Sequence, residues 1–322
     1  KFEWGGEWMA KVRQALSETV FDDYSDTRVT TMGHITEVVT MQKRCVGPPV
    51  VRIDKDHFMD LRTGELLEYE HIENRAESTD SIRRTLSHIR ALINTNVTVP
   101  ENCRWVTLTY SENMTDTKRL YKDYERFWKR FCYWCKINGH EKPEYITVQE
   151  PQGRGAWHIH AFFIWPVKAP FIPNNEVLWN LWGQGFTKIK PLDNCDNIGA
   201  YFSAYLGDMP LDEVHQLPAA DQIRAFGAGG IEEKEFANEQ GHMKKKKFVK
   251  GGRLFLYPPK MNIVRKTKGI KLPVVEKMTY SEAKEKVRSA KQTFSRSYEV
   301  VADDGSVINT ICKTYYNSRR KD

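Results

Sequence analysis

Between Asn102 and Leu206 the spacing of apolar positions switches repeatedly between a period of two and a period near 3.6, and each switch marks an element. Trp105-Val106-Thr107-Leu108-Thr109-Tyr110 is β-rich and bounded by polar turns, which predicts a strand. Thr115-Asp116-Thr117 then opens a helix whose apolar stripe is Leu120, Tyr124, Phe127, Trp128, Phe131 and Cys135, and Asn138-Gly139 closes it. Strands follow over Tyr145 to Glu150 and Ala156 to Trp165, joined through Pro151-Gln152-Gly153-Arg154-Gly155 as a hairpin. A helix through Val177, Leu178, Leu181 and Trp182, a strand over Phe186 to Ile189 and a helix over Asn197 to Leu206 complete a βαββαβ-like series.

The flanks are less regular. Val50-Val51-Arg52-Ile53-Asp54 and His57-Phe58-Met59-Asp60-Leu61 alternate between Gly/Pro turns and predict strands. Ile82, Leu86, Ile89 and Ile93 predict an amphipathic helix opened by Ser78-Thr79-Asp80. After Pro210, residues 225–240 are Gly-rich and acidic and read as a linker or loop. Arg253 to Tyr257 reads as a strand and Ser281 to Gln292 as a helix. The expected fold class is α+β, a central antiparallel sheet flanked by helices with an RRM-like βαββαβ core. The expected division is a small N-terminal module over 1–98, a central domain over 99–275 and a helical C-terminal extension over 276–322.

Composition changes this picture mainly through charge. The chain has 322 residues, 40% hydrophobic and 28% charged, ample for one large or two ordinary domains. Its net charge of +7 is unevenly placed: residues 1–98 hold 13 Lys and Arg against 16 Asp and Glu, so the excess lies downstream. Lys244 to Lys271 contains eleven basic residues and no acidic one, which fits a phosphate backbone as partner and equally a solvated loop. Within it, Lys244, Lys245, Lys246, Lys247, Lys250, Arg253, Arg265, Lys266 and Lys268 are the expected DNA contacts. Phe248, Phe255 and Tyr257 interleave as stacking or core residues. Six scattered cysteines, no signal-peptide pattern and no apolar run near ~18 residues lead to the expectation of a cytoplasmic protein without a membrane span. Cys132-Tyr133-Trp134-Cys135 has no second cysteine pair to complete a zinc site and is read as packing.

The candidate chemistry is concentrated in two places. His158-Ile159-His160 on a strand directs two imidazoles to one face, because side chains alternate across a sheet. A hairpin loop centred on Arg154 pairs Glu150 with His158 and Val148 with His160, which adds a carboxylate ~5 Å from its cross-strand partner. A two-residue turn at Arg154-Gly155 instead puts Glu150 on the opposite face. Two imidazoles and a carboxylate suit Mg²⁺, Mn²⁺ or a similar cation with positions open for phosphate oxygens. Tyr201 and Tyr205, at i and i+4, share one helical face. Alone, such a pair is ordinarily core packing; beside a metal that stabilises phosphoryl charge, it supplies two hydroxyl nucleophiles.

These residues, in this order, resemble the HUH endonuclease superfamily (histidine, hydrophobic residue, histidine). Within it the chain is similar to rolling-circle replication initiators of plasmids and phages, including filamentous-phage and Gram-positive plasmid initiators. The resemblance is carried by Trp105 to Tyr110, Glu150 to His160, Leu181-Trp182-Gly183-Gln184-Gly185-Phe186 and Tyr201-Phe202-Ser203-Ala204-Tyr205, covering roughly 102–210. A weaker echo lies in Gly251 to Pro259 and Arg265 to Ile270. It implies His158, His160 and Glu150 as ligands of Mg²⁺ or Mn²⁺ and a 5′-phosphotyrosine intermediate formed on single-stranded DNA at a replication origin, with a hairpin or duplex nearby. Many relatives carry a lysine three residues after the nucleophilic tyrosine, whereas here Ala204 and Asp208 stand there. The motif's position makes Tyr201 the expected first nucleophile and Tyr205 its partner. No Gly-x-x-x-x-Gly-Lys-Ser/Thr run occurs, so unwinding is expected to come from a host helicase. Two other readings stay open. One is a mobilisation relaxase or transposase of the same superfamily, in which a relaxase's tyrosine precedes the histidine pair. The other is a non-catalytic RRM-like nucleic-acid-binding protein.

Overall fold

The computed structural model describes residues 11–15, 19–44, 50–61, 63–69, 79–153, 155–192, 197–237, 243–258, 261–302 and 304–320. The chain forms two compact units, one from Lys1–Ile72 together with Pro273–Asp322, the other from Glu73–Leu272. The division therefore differs from the one expected at 98/99 and 275/276. The first unit is discontinuous in sequence, and the helix expected in the N-terminal module belongs to the second unit.

The first unit opens with β1 (Lys11–Gln14), β2 (Asp26–Met32), β3 (Ile35–Met41), β4 (Val50–Arg52), β5 (His57–Asp60) and β6 (Leu66–Glu68). The second contains α1 (Thr79–Asn96), β7 (Cys103–Thr109), α2 (Thr117–Ile137), β8 (Glu144–Pro151), β9 (Trp157–Ile164), α3 (Trp179–Trp182), β10 (Thr187–Pro191) and α4 (Ile198–Gly207). It continues through β11 (Met209–Pro210), α5 (Leu211–Val214), α6 (Ala219–Ala228), β12 (Ile231–Ala237), β13 (Met243–Val249) and β14 (Val264–Lys266). The chain then returns to the first unit as β15 (Val274–Thr279), α7 (Tyr280–Val287), β16 (Lys291–Val301) and β17 (Val307–Asn317).

In the first unit an antiparallel sheet runs β1-β16-β17-β3-β2-β15, so the returning C-terminal strands supply half of it. The expectation of a helical extension over 276–322 fails here for a local reason. The helical pattern stops at Val287, and beyond it Thr293, Phe294, Tyr298, Val300 and Val301 favour a strand. A capping box between Thr279 and Glu282 starts α7, which packs Ala283 and Val287 on Val29 and Val38. On the sheet itself Glu37 is buried against the Lys313 ammonium and accepts a 2.6 Å hydrogen bond from the Tyr315 hydroxyl. Burial raises the Glu37 carboxyl, but Lys313 outweighs it and holds the group below its ordinary value. Glu37 likewise holds Lys313 above its own, against burial. The sign follows from those directions. Stability from Glu37 is present above the unfolded carboxylate value and lost as pH falls through the depressed folded value; stability from Lys313 is lost only as pH rises through its elevated one. Glu37→Gln is expected to flatten the acid limb of the first unit's unfolding profile, measured by thermal melts between about pH 2 and 6. An acid limb as steep as the wild type's would contradict it.

The second unit is built on a fully antiparallel sheet of order β10-β7-β9-β8-β14, with β9 in the middle. Ile159, Ala161 and Phe163 alternate with His158, His160 and Phe162 along β9. Phe163 packs on Phe127, Trp128 and Phe131 of α2, while Phe162 packs on Phe202 of α4. The expected α2 stripe is buried as read, apart from the half-buried Trp128, and Asp116 caps it by accepting from the Lys118 and Arg119 amides. Each fully buried aromatic contributes about 1.5–3 kcal/mol, so this core fixes the strands that carry the site. Cys132 and Cys135 are free thiols on α2; burial pushes Cys135 up to about 12, which suits packing and not redox or metal chemistry. Cys45 and Cys195 lie outside the described residues.

Two local expectations change. Residues 225–240 begin in a helix, α6, and enter β12, which pairs along its full length with β13. The interval from Arg253 to Tyr257 is a 3₁₀ turn over Leu254–Leu256, not a strand, because Gly251 and Gly252 turn the chain immediately before it. No helix among the described residues is long and apolar enough to cross a membrane.

Candidate active site

The β8–β9 register pairs Glu150 with His158 and Val148 with His160, the pairing expected for a loop centred on Arg154. Gln152 and Gly155 close the hairpin through Gln152 N–H to Ala156 O and Gly155 N–H to Gln152 O, both 2.8 Å. Gly155 has φ of 83°, a left-handed conformation that a side chain would strain, and Arg154 lies outside the described residues. This places Glu150, His158 and His160 on one face of the sheet. Thr107 joins them because β7 pairs it opposite His160.

The carboxylate is the electrostatic centre. Glu150 is 2% exposed; its Oε2 lies 2.6 Å from His160 Nε2, and its Oε1 lies 3.0 Å from Arg253 Nη1. That second contact is an ion pair without hydrogen-bond alignment, so Oε1 has no aligned donor. Burial alone raises the carboxyl, but the Arg253 guanidinium, followed by His160 and His158, holds it below its ordinary value, so Glu150 is ionised. His160 Nδ1 lies 3.3 Å from the Thr107 hydroxyl, and its ring meets Phe202 edge-on at 5.5 Å. The His158 and His160 rings are 6.3 Å apart.

Arg253, expected as a DNA contact from its place in a basic run, is instead mostly buried at the wall of the cleft beside Glu150. It is 6% exposed and ties three elements together. Besides Glu150, it donates to Pro151 O at 3.2 Å, to Asp208 O at 3.4 Å and to Glu213 Oε2 at 3.3 Å. Its own backbone N–H donates to Gly207 O at the end of α4. A buried pair of this kind is costly to break, about 3–5 kcal/mol when one partner is removed, because the other stays charged in a dry site.

The other basic residues are placed unevenly. Lys245 pairs with Glu233 at 3.3 Å, Lys246 with Asp212 at 3.1 Å and Lys250 with Glu232 at 2.8 Å, so carboxylates of β12 and α5 meet three charges of the lysine run. Lys247, Lys266 and Lys268 are exposed, Arg265 sits 5.0 Å over the Tyr121 ring, and the Lys244 side chain lies outside the described residues. Phe248 and Tyr257 are buried, which makes them core and not stacking platforms.

α4 carries both tyrosine positions. Its N-terminus is docked on α1: Asn197 caps by accepting from the Ala200 amide, and the Asn94 side chain bonds both Asn197 and the Gly199 amide, each at 2.9 Å. Gly199 is required by contact, since a Cβ there would fall 2.5 Å from Arg90 O. Phe202 and Leu206 set the buried face. Tyr201 and Tyr205 precede them by one position, 100° around the helix and on a common stripe. Their side chains lie outside the described residues.

A cleft of about 690 Å³ opens over this face, lined by His158, His160, Glu150 and Thr107. Its further walls include Trp105 and Phe186, from segments that carry the resemblance, and Lys188 and Lys190, which sequence reasoning did not single out. The signal was present as a period of two from Phe186, just before β10, through Lys188 to Lys190 on it. These side chains give the cleft an aromatic and cationic side suited to unpaired bases and phosphates.

Among the described residues no group of three or more His, Cys, Asp or Glu is arranged to hold a metal ion. The donor types themselves fit a divalent cation: an ionised buried carboxylate with one oxygen lacking an aligned donor, and two imidazoles on the same face.

Residues 103–209, about a third of the chain, match the sequence profile of a family of replication-associated proteins, the ORF2 and gene 2 protein family. The matched segment runs from the first residue of β7 to the first residue of β11 and so contains the histidines, Glu150 and α4. No curated protein and no solved structure matches the chain significantly.

Proposed function

We propose that the chain is a site-specific, single-strand DNA endonuclease and strand transferase of the HUH type that nicks a replication origin to start and terminate rolling-circle replication. The match of residues 103–209 to a replication-associated family supports the initiator role. The observation that carries the chemistry is the register placing Glu150, His158 and His160 on one face of β8 and β9, beneath the helix that bears Tyr201 and Tyr205.

In this reading the cleft binds single-stranded DNA with the scissile phosphate over His158 and His160. The Tyr201 oxygen bonds to phosphorus, the bond from phosphorus to the 3′ oxygen breaks, the phenolic proton leaves to solvent and the 3′ oxygen takes a proton from solvent. The products are a 5′-phosphotyrosine link and a free 3′-OH, which a polymerase extends. Tyr205 makes the second transfer, and the first strand stays attached meanwhile. His158, His160 and Glu150 would hold Mg²⁺ or Mn²⁺, which supplies charge stabilisation at the non-bridging phosphate oxygens. A cation there would replace the His160–Glu150 hydrogen bond, with Arg253 keeping the carboxylate oriented and ionised. Strand separation ahead of the nick is assigned to a host helicase.

The test incubates the full chain with single-stranded origin-derived DNA and Mn²⁺, then resolves the products on a denaturing gel. A protein–DNA adduct in Mn²⁺ that disappears in EDTA is the expected result. Binding without adduct in any divalent metal overturns the enzyme reading and favours the binding-protein alternative.

A further inference from the structure

The second unit has another basic concavity, away from the cleft, between α1 and the edge strand β14. It measures about 770 Å³ and is lined by Arg84 and His88 from α1 and by Arg265 and Lys266 from β14, with Asn262 and Thr85 between them and no acidic residue. Among the described residues none of these four basic side chains has an ion-pair partner. This sets them apart from Lys245, Lys246 and Lys250, whose charges are met by Asp212, Glu232 and Glu233. Arg84 and His88 are one helical turn apart and face the same way. Lys266 shares the α1 side of the sheet because it pairs opposite Ile146, whereas Arg265 turns to the other side over Tyr121. Burial and the Lys266 ammonium both hold the His88 imidazole below its ordinary value, so His88 enters the groove as a neutral polar group beside the charged Arg84 and Lys266.

Unpaired cations gathered in one groove repel each other, and a ligand that supplies several negative charges along its length relieves this. The arrangement does not suit a single phosphate. The cations, Arg84, Arg265 and Lys266, are spread over a helix and a strand edge, and the last two diverge across the sheet edge. We infer that this groove is a second nucleic-acid site, holding the sugar–phosphate backbone of DNA that flanks the segment in the cleft. β14 lies two strands from β9, about 10 Å at the usual strand spacing, so one DNA molecule can reach both. The inference rests on the proposed function for the identity of the ligand, and it moves the main backbone contact from the lysine-rich β13 to the α1–β14 groove.

The test compares three forms of the full chain: wild type, Arg84→Gln with Lys266→Gln, and Lys245→Gln with Lys246→Gln. Fluorescence anisotropy measures binding of a labelled single strand of about 30 nucleotides across a salt series. Losing two backbone contacts is expected to lower the slope of log K against log salt by roughly 1.4–1.8 in the groove variant, with a smaller change in the β13 variant. Arg84 and Lys266 are exposed, and matching circular dichroism melts confirm that both variants fold. An unchanged slope in the groove variant, or a larger loss in the β13 variant, overturns the inference. So does loss of binding to anionic lipid vesicles with DNA binding intact. Adduct formation on a short strand is followed in parallel. If wild type forms no adduct but the groove variant still loses slope, the nuclease reading falls and the groove stands; adduct with an unaffected slope has the opposite meaning.

Discussion

Tyr201→Phe combined with Tyr205→Phe abolishes the covalent protein–DNA adduct and leaves DNA binding within a few-fold of wild type. The substitution removes only the two hydroxyl oxygens, the atoms that form the bond to phosphorus, and keeps the rings. A phenol of pKa ~10 is a weak nucleophile at neutral pH, and in the proposed reaction its attack is helped by charge withdrawal at the phosphate. That dependence makes the loss complete: without an attacking oxygen, stabilising the phosphate yields nothing covalent. The single variants separate the roles. Tyr201→Phe is expected to remove most first-strand adduct, whereas Tyr205→Phe keeps it and loses the second transfer, read as failure to rejoin a labelled acceptor strand. Undiminished adduct in the double variant would remove the tyrosines from the chemistry.

His160→Ala is expected to lower the adduct rate on the order of 10³-fold at saturating DNA and Mn²⁺. A metal ligand placed at the transferring phosphoryl group is worth several kcal/mol, and each 1.36 kcal/mol is a factor of ten in rate. His160 carries more than a coordinating nitrogen. It bonds Glu150 at 2.6 Å, sits 3.3 Å from Thr107 and packs on Phe202, so its removal also loosens the contact between β9 and α4. The two effects divide experimentally. Lost packing appears as a lower melting temperature without metal, whereas lost coordination appears as a higher Mn²⁺ requirement. Single-turnover rates across a Mn²⁺ series, with melts of the same samples, make the comparison. A rate within tenfold of wild type would show that His160 is a structural histidine and not a ligand.

The parts of this site that could be read before any coordinates were those set by local periodicity. His158 and His160 share a face because β9 alternates, and Glu150 joins them because five residues between strands set the hairpin register. α2 was legible from its apolar stripe and its start at Thr115-Asp116-Thr117, and α4 as a helix over Asn197 to Leu206. The burial of Arg253 was not legible for a physical reason. An arginine among lysines looks like a phosphate contact, and only the turn at Gly251 and Gly252 brings it under Pro151 and beside Glu150. The same limit hid the first unit, whose sheet joins β3 to β17 across more than 260 residues of chain, a pairing with no local signature. Residues 225–240 were misread because the acidic alternation of β12 becomes strand-like only opposite the lysines of β13.

In the proposed reaction a tyrosine on α4 becomes bonded to the 5′ phosphate of cleaved DNA. Mass spectrometry of the Mn²⁺-dependent adduct, after nuclease and protease digestion, tests this most directly. The expected product is a nucleotide phosphate on Tyr201, or on Tyr205 after the second transfer. A nucleotide on any other residue, or cleaved DNA with no modified peptide, would contradict it.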